Sequence, residues 1–174
     1  MRPVYFYGAI SLDGYLSDNH DNLQWLFDTD LNQQSTYEAF ERQVDTVVMG
    51  RVTYQETLKI LGDEPLYPDK EKIILSRHQA GQVNGGRYEN TDPVTLVRQL
   101  RQQSGKAIWI VGGGAIVSAL AAAHLIDEYW IQIAPVLLGR GKRLFEPNDD
   151  EQRLTLADTT VMGELTELHF KKQN

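Results

Sequence analysis

The chain has 174 residues, with 17 Lys and Arg against 24 Asp and Glu, and no cysteine. That length predicts a single domain, residues 1–174, whose core needs no covalent staple. Missing cysteine excludes disulfides, thiolate metal sites and cysteine nucleophiles. The net charge of −7 argues against a nucleic-acid partner, because phosphate neutralisation supplies most of that affinity. A phosphorylated small molecule would have to be met by local arginines. Met1-Arg2-Pro3 leads directly into Val4-Tyr5-Phe6-Tyr7, without a charged-then-apolar leader, and no apolar stretch reaches membrane-spanning length. A soluble cytoplasmic protein without a membrane partner is expected.

In chain order, Val4–Ala9 reads as a strand. Residues Ser11 to Ser35 then form a long polar connection, with Asp13-Gly14, Asp18-Asn19-His20-Asp21-Asn22 and the amphipathic piece Leu23-Gln24-Trp25-Leu26-Phe27. So long a connection in a small domain predicts a lid or binding loop. Trp25 either roofs a pocket there or pins the loop to the core. Asp13 is the one candidate catalytic acid, against the plainer reading of an Asp-Gly turn.

Tyr37, Phe40 and Val44 fall at i, i+3 and i+7 and predict a helix. A strand over Thr46–Met49, a helix over Val52 to Leu61 and a strand over Lys72–Leu75 follow. Asp92-Pro93 opens a helix carrying Val94, Val97 and Leu100, with Thr91 or Asp92 as its cap. Ile108 to Val111 form a buried strand, Ala115 to Ala123 a helix, and Glu128–Pro135 another strand. Leu154 to Ala157 and Leu165 to Phe170 flank a turn near Gly163 and read as a terminal antiparallel hairpin. The alternation predicts an α/β protein with helices on both faces of a mixed sheet.

Three strand ends carry chemistry. Ala107 to Val117 read Ala-Ile-Trp-Ile-Val-Gly-Gly-Gly-Ala-Ile-Val. A glycine-only junction sacrifices conformational entropy and needs a reason. One reason is close passage of a ligand, with helix-start N–H groups favouring an anion. The other is tight strand–helix packing. The run does not match G-x-G-x-x-G, since Val117 holds the sixth position, and both reasons stand.

Val47-Val48-Met49 runs into Gly50-Arg51-Val52-Thr53-Tyr54, and Ile73-Ile74-Leu75 into Ser76-Arg77. Ligands of open α/β sheets sit at the carboxyl ends of strands. Gly50 lets the backbone come close, Arg51 grips a phosphate and Thr53 adds a hydroxyl. Ser76 and Arg77 make a second hydroxyl–guanidinium pair, suited to a phosphate monoester. Either arginine alone reads as an ordinary solvated side chain. Together they describe NADP in preference to NAD.

These three motifs, in this order, resemble the cofactor motifs of the dihydrofolate reductase-like fold. Ala9-Ile10-Ser11-Leu12-Asp13-Gly14, Ile126-Asp127-Glu128 and Ala134 to Phe145 resemble the branch with the riboflavin-biosynthesis reductase domain. The resemblance spans nearly the whole chain. It implies a three-layer αβα architecture with a mixed, mostly parallel central sheet and a C-terminal antiparallel hairpin. It also implies an NADPH-dependent reductase passing hydride to a small heterocycle of pteridine or riboflavin-precursor type, and a homodimer.

By that resemblance, the backbones of Ala9 and Leu16 lie at the nicotinamide carboxamide. Gly50, Arg51, Val52 and Thr53 embrace the adenosine side, with Leu75, Ser76 and Arg77 at the 2′-phosphate. Val111, Gly112, Gly113, Gly114, Ala115 and Ile116 carry the pyrophosphate and nicotinamide end, with a cis peptide between Gly112 and Gly113. Trp25 and Asp28 are the candidate substrate-side residues. One departure stands out: the ring-binding acid of folate reductases falls, counting back from Gly50, on Gln34, with Asp28 and Asp30 just upstream. This argues against folate reduction and leaves a second reading, an NADP-binding module without turnover.

Other motifs carry less. His20, His78, His124 and His169 show no metal-ligand spacing, so no metal is expected. Gly139-Arg140-Gly141-Lys142 lacks the spacing of a Walker loop and reads as a turn or bulge. No Gly-x-Ser-x-Gly elbow supports a serine hydrolase.

Overall fold

A computed structural model describes residues 1–173. In chain order the elements are β1 (Val4–Ser11), β2 (Tyr15–Ser17), α1 (Gln24–Phe27), α2 (Tyr37–Glu41), β3 (Val44–Gly50) and α3 (Arg51–Leu61). There follow β4 (Glu71–Leu75), β5 (Gln82–Val83), β6 (Gly86–Glu89), α4 (Pro93–Arg101), β7 (Ala107–Gly112) and α5 (Gly114–Ala122). The chain closes with β8 (Glu128–Ala134), β9 (Lys142–Arg143), β10 (Leu154–Met162) and β11 (Leu165–Lys172). No helix among the described residues is long and apolar enough to cross a membrane.

One sheet in the order β10-β11-β8-β1-β7-β3-β4-β6-β5 organises the molecule. From β8 to β6 every neighbouring pair is parallel, while β10, β11 and β5 join by antiparallel ladders. The mixed sheet with its terminal hairpin is therefore as expected, and the hairpin is longer, with β10 reaching Met162.

Alternation along the strands builds two cores. Val4, Phe6, Val48, Ile73, Ile108 and Ile110 face α4 and α5, meeting Leu96, Val97, Leu100, Val117 and Leu120. Tyr7, Val47, Met49, Ile74 and Trp109 face the other way, toward Phe40 of α2 and Tyr54 and Leu61 of α3. Aromatic packing dominates this second layer: Tyr7 stacks on Phe40 at 4.5 Å, and Trp109 meets Phe40 edge-on at 5.3 Å.

Val44 departs from its expected place. The i, i+3, i+7 spacing puts it on a helix, but α2 ends at Glu41 and Val44 opens β3, fully inside the core. The β-branched run Val44, Thr46, Val47, Val48 favours an extended backbone over another helical turn. At α4 the Asp92 carboxylate caps the helix by accepting from the Thr95 N–H at 2.8 Å, and Pro93 sits in the first turn as expected.

The topology fixes where chemistry can gather. Because β3, β4 and β7 are parallel and in register (Gly50 with Leu75, Met49 with Gly112), the loops that leave them emerge at one rim. β11 runs antiparallel to β8, so its start lies at that same rim, with Thr166 opposite Ile133.

Candidate functional site

A cleft of about 700 Å³ opens along this rim. Its walls include Gly50, Arg51, Val52 and Thr53 from the β3–α3 junction, and Leu75, Ser76 and Arg77 after β4. Gly113, Gly114, Ala115 and Ile116 at the β7–α5 junction complete the set. Segments some 60 residues apart in the sequence thus share one groove. Val111 and Gly112 lie in β7 just before that junction, and Ala9 and Leu16 lie on β1 and β2; none of the four is part of the cleft wall.

Two helix starts open onto the groove. Both α3 and α5 have a glycine at the N-cap, Gly50 and Gly113, and neither has a side chain capping its first turn. The leading N–H groups of a helix lack intrahelical partners, so these two turns offer donors and positive partial charge to an anion. The contrast with the Asp92-capped α4 is direct.

The three glycines of the run do different work. Gly112 has φ +128°, a region L side chains avoid. Its peptide bond to Gly113 is cis. Gly113 has an ordinary φ of −77°, and a Cβ there would stand in the groove with Thr53 Oγ1 as its nearest neighbour at 3.7 Å. A Cβ at Gly114 would overlap the Arg143 carbonyl oxygen. Close packing explains Gly114, whereas Gly113 borders open space.

Charge in the groove opposes that of the chain. Arg51, Arg77, Lys142 and Arg143 line it, together with Asp21, Glu89 and Glu146. Lys142 pairs with Asp21, and Glu89 is held by Arg87 at 2.7 Å. Among the described residues, Arg51, Arg77 and Arg143 have no carboxylate partner. Arg51 donates to Gln55 Oε1 at 2.8 Å, which holds it along α3. Arg143 lies over the Tyr15 ring, 5.2 Å from its centroid. Ser76 Oγ accepts from the His78 and Gln79 N–H groups at 3.3 and 3.0 Å, which shapes the turn and leaves its O–H to donate.

Lys142 and Arg143 are groove residues that motif reasoning set aside with the Gly139-Arg140-Gly141 turn. They form β9, which pairs with β2 (Tyr15 with Arg143), and Gly141 packs where a Cβ would overlap the Ser17 carbonyl. The strap continues across α5, where Ser118 Oγ accepts from the Glu146 N–H at 2.8 Å. Asn90 and Thr91, after the short charged strand β6, are further wall residues that no ligand-binding motif marked.

Asp13 serves the turn. Its Oδ1 accepts from Ser11 Oγ at 2.7 Å and Leu138 N–H at 3.0 Å, and its Oδ2 from Gly139 N–H at 2.7 Å. The Ser11 hydroxyl first, then the two N–H groups, hold its carboxyl below the ordinary carboxylate range. A carboxylate so held is a poor proton donor near neutrality. It clamps the 11–14 turn onto the strap at 138–139. A depressed folded value stabilises above the unfolded value and loses that contribution as pH falls. Asp13→Asn is therefore expected to lower the melting temperature near neutral pH, with the gap to the parent narrowing as pH falls below the ordinary carboxylate range. A gap in melting temperature that does not narrow with falling pH would contradict the clamp.

Trp25 and Asp28 lie on α1 and at its end, away from the cleft wall. Asp28 is exposed and accepts from Gln24 Nε2 at 2.7 Å. Trp25 is half-buried, with its Nε1 enclosed and without a hydrogen-bond partner among the described residues. Gln34 is exposed in the turn before α2.

The sheet order, the rim cleft and the two glycine-started helices define a protein of the dihydrofolate reductase-like fold. The chain belongs to the RibD C-terminal domain family, whose profile matches residues 3–168. It is 31% identical over 172 residues to the uncharacterized protein YwjB of Bacillus subtilis strain 168, covering 97% of each chain. A crystal structure from Shewanella sp. PV-4, of a protein provisionally assigned to riboflavin biosynthesis, matches with TM-score 0.85 and 26% identity over 100% of both chains. The Thermotoga maritima diaminohydroxyphosphoribosylaminopyrimidine deaminase/5-amino-6-(5-phosphoribosylamino)uracil reductase shares the fold at 14% identity and TM-score 0.76. There 99% of this chain matches 57% of that one.

Proposed function

We propose that this chain is an NADPH-dependent reductase that delivers hydride to a small heterocyclic acceptor. The observation that carries the reading is the convergence, on one rim of an acidic protein, of two uncapped helix starts and three guanidinium groups without carboxylate partners. A dinucleotide with an extra phosphate has the complementary charge.

In this reading the N–H groups of Gly114 and Ala115 hold the pyrophosphate, with Gly113 leaving room for it. Arg51 and Thr53 flank the adenosine side. Ser76 and Arg77 meet the 2′-phosphate through a hydroxyl donor and a charge-assisted guanidinium contact. Ala9, Leu16, Val111 and Gly112 stand at the nicotinamide end. When bound, NADPH supplies the hydride, so the chain needs no nucleophile of its own. Its residues orient the two reactants and keep bulk water out.

The experiment is an NADPH oxidation assay with a panel of pteridine, aminopyrimidine and quinonoid acceptors. Loss of nicotinamide absorbance with at least one acceptor is the expected result. Saturable NADPH binding with no turnover on any acceptor would favour the binding-module reading, which the exposed Gln34 in place of an acid keeps in view.

A further inference from the structure

Three guanidinium groups line the groove, and the cofactor reading gives a role to two of them. Arg143 is left over. It stands exposed on the cleft wall, on the strap that crosses the start of α5. The strap is seated directly on the first residue of that helix. A Cβ at Gly114 would overlap the Arg143 carbonyl oxygen and lie 3.3 Å from that of Leu144.

The Arg143 side chain is held in place yet keeps its donors. Tyr15 is opposite Arg143 in the β2–β9 pairing, and the guanidinium carbon lies 5.2 Å from the centre of the Tyr15 ring. That ring is a fixed platform: Tyr15 is 9% exposed, and its N–H donates to Ser11 Oγ at 3.0 Å. A cation over an aromatic face is attracted by the ring while its N–H groups remain free for another partner. Apart from this ring contact, Arg143 forms no ion pair or side-chain hydrogen bond among the described residues.

Neighbouring charges do not compete for it. Lys142 is engaged by Asp21, in a turn that the Asp18 carboxylate fixes by accepting from the His20 and Asn22 N–H groups at 2.8 and 2.9 Å. Glu146, farther along the strap, is anchored through its N–H to Ser118 and forms no ion pair among the described residues. A planar, permanently charged fork is thereby kept available on this wall.

Distance selects its partner. Arg77 follows β4, and β3 separates β4 from β7, so at about 5 Å per strand the two loops leave the sheet about 10 Å apart. The strap lies on the β7 side, against Gly114. What Arg143 reaches from there is the diphosphate bridge, which NADPH and NADH share. The 2′-phosphate belongs to the far wall at Ser76 and Arg77.

We propose that Arg143 grips the diphosphate of the dinucleotide from the strap, beside the α5 N–H groups, through a charge-assisted guanidinium contact. The proposal rests on the reading of this cleft as the cofactor site. It divides the labour between two arginines: Arg143 raises affinity for either cofactor, and Arg77 sets the preference for the phosphorylated one.

The test is isothermal titration of the full chain and its variants with NADPH and NADH. Arg143→Ala is expected to weaken both cofactors by the same factor, about tenfold or more, so their affinity ratio keeps the parent value. Arg143→Lys, with the charge but without the fork, should recover part of the loss. Undiminished binding of both cofactors in Arg143→Ala, or a loss confined to NADPH, would overturn the proposal. The unaltered chain gives a second readout that needs no variant. Inorganic diphosphate is expected to shift the Arg143 Nε–H resonance in an NMR titration, beyond any shift from sodium chloride at equal ionic strength. A resonance that diphosphate leaves at the salt-control position would overturn the proposal too. A diphosphate shift in a chain that binds neither cofactor would uphold the site and overturn only the cofactor reading.

Discussion

Gly113→Val is expected to abolish NADPH binding while the fold survives. The backbone at this residue is extended, with φ −77° and ψ −171°, which a valine adopts readily. Its Cβ would meet nothing closer than Thr53 Oγ1 at 3.7 Å, so the surrounding core need not move. What the side chain does occupy is the space at the start of α5 where the pyrophosphate is proposed to sit. Gly114→Ala is the internal control with the opposite signature. There the new methyl would overlap the Arg143 carbonyl, and overpacking of that kind destabilises by about 1–3 kcal/mol. Circular-dichroism melts and fluorescence titration of both variants separate the cases. A Gly113→Val protein that binds NADPH normally would make the glycine run a packing device throughout.

Arg77→Ala and Arg51→Ala are expected to weaken NADPH far more than NADH. A charge-assisted contact to phosphate is worth about 1.5–3 kcal/mol, or roughly 10- to 150-fold in affinity. Arg77 is exposed and has no carboxylate to leave, so its guanidinium is available without breaking an ion pair. Ser76, only 9% exposed, holds the turn beneath it through its two accepted N–H bonds. Arg51 is already positioned along α3 by Gln55. Both effects should shrink with added salt, as surface charge contacts do. Isothermal titration with the two cofactors measures the ratio. Equal losses for NADPH and NADH would contradict a 2′-phosphate contact.

Much of this was readable from the residues because each wall of the cleft is a continuous stretch of chain. Gly50-Arg51, Ser76-Arg77 and Gly112-Gly113-Gly114 each follow a β-branched strand, and parallel strands must release their loops at one end. Local signals also put the cap of α4 at Thr91 or Asp92, and Asp92 is the one that holds it. The failures share a cause as well. Val44 satisfied a helical spacing by coincidence, and β-branched neighbours decided the outcome. Lys142 and Arg143 reach the groove only through the short β2–β9 pairing, which depends on Gly141 and the Asp13 clamp rather than on a motif. The hydrogen-bonded group of Tyr7, Thr36, Gln132 and Glu167 was least legible, since its members come from four separate segments of the chain.

The account stands on the groove at the carboxyl ends of β3, β4 and β7 being built for a 2′-phosphorylated nicotinamide dinucleotide. A crystal structure of the chain grown with NADPH tests it most directly. The expected result is the pyrophosphate against the Gly114 and Ala115 N–H groups and the 2′-phosphate within hydrogen-bonding distance of Ser76 and Arg77. A nucleotide seated elsewhere, or a groove left empty at saturating NADPH, would contradict it.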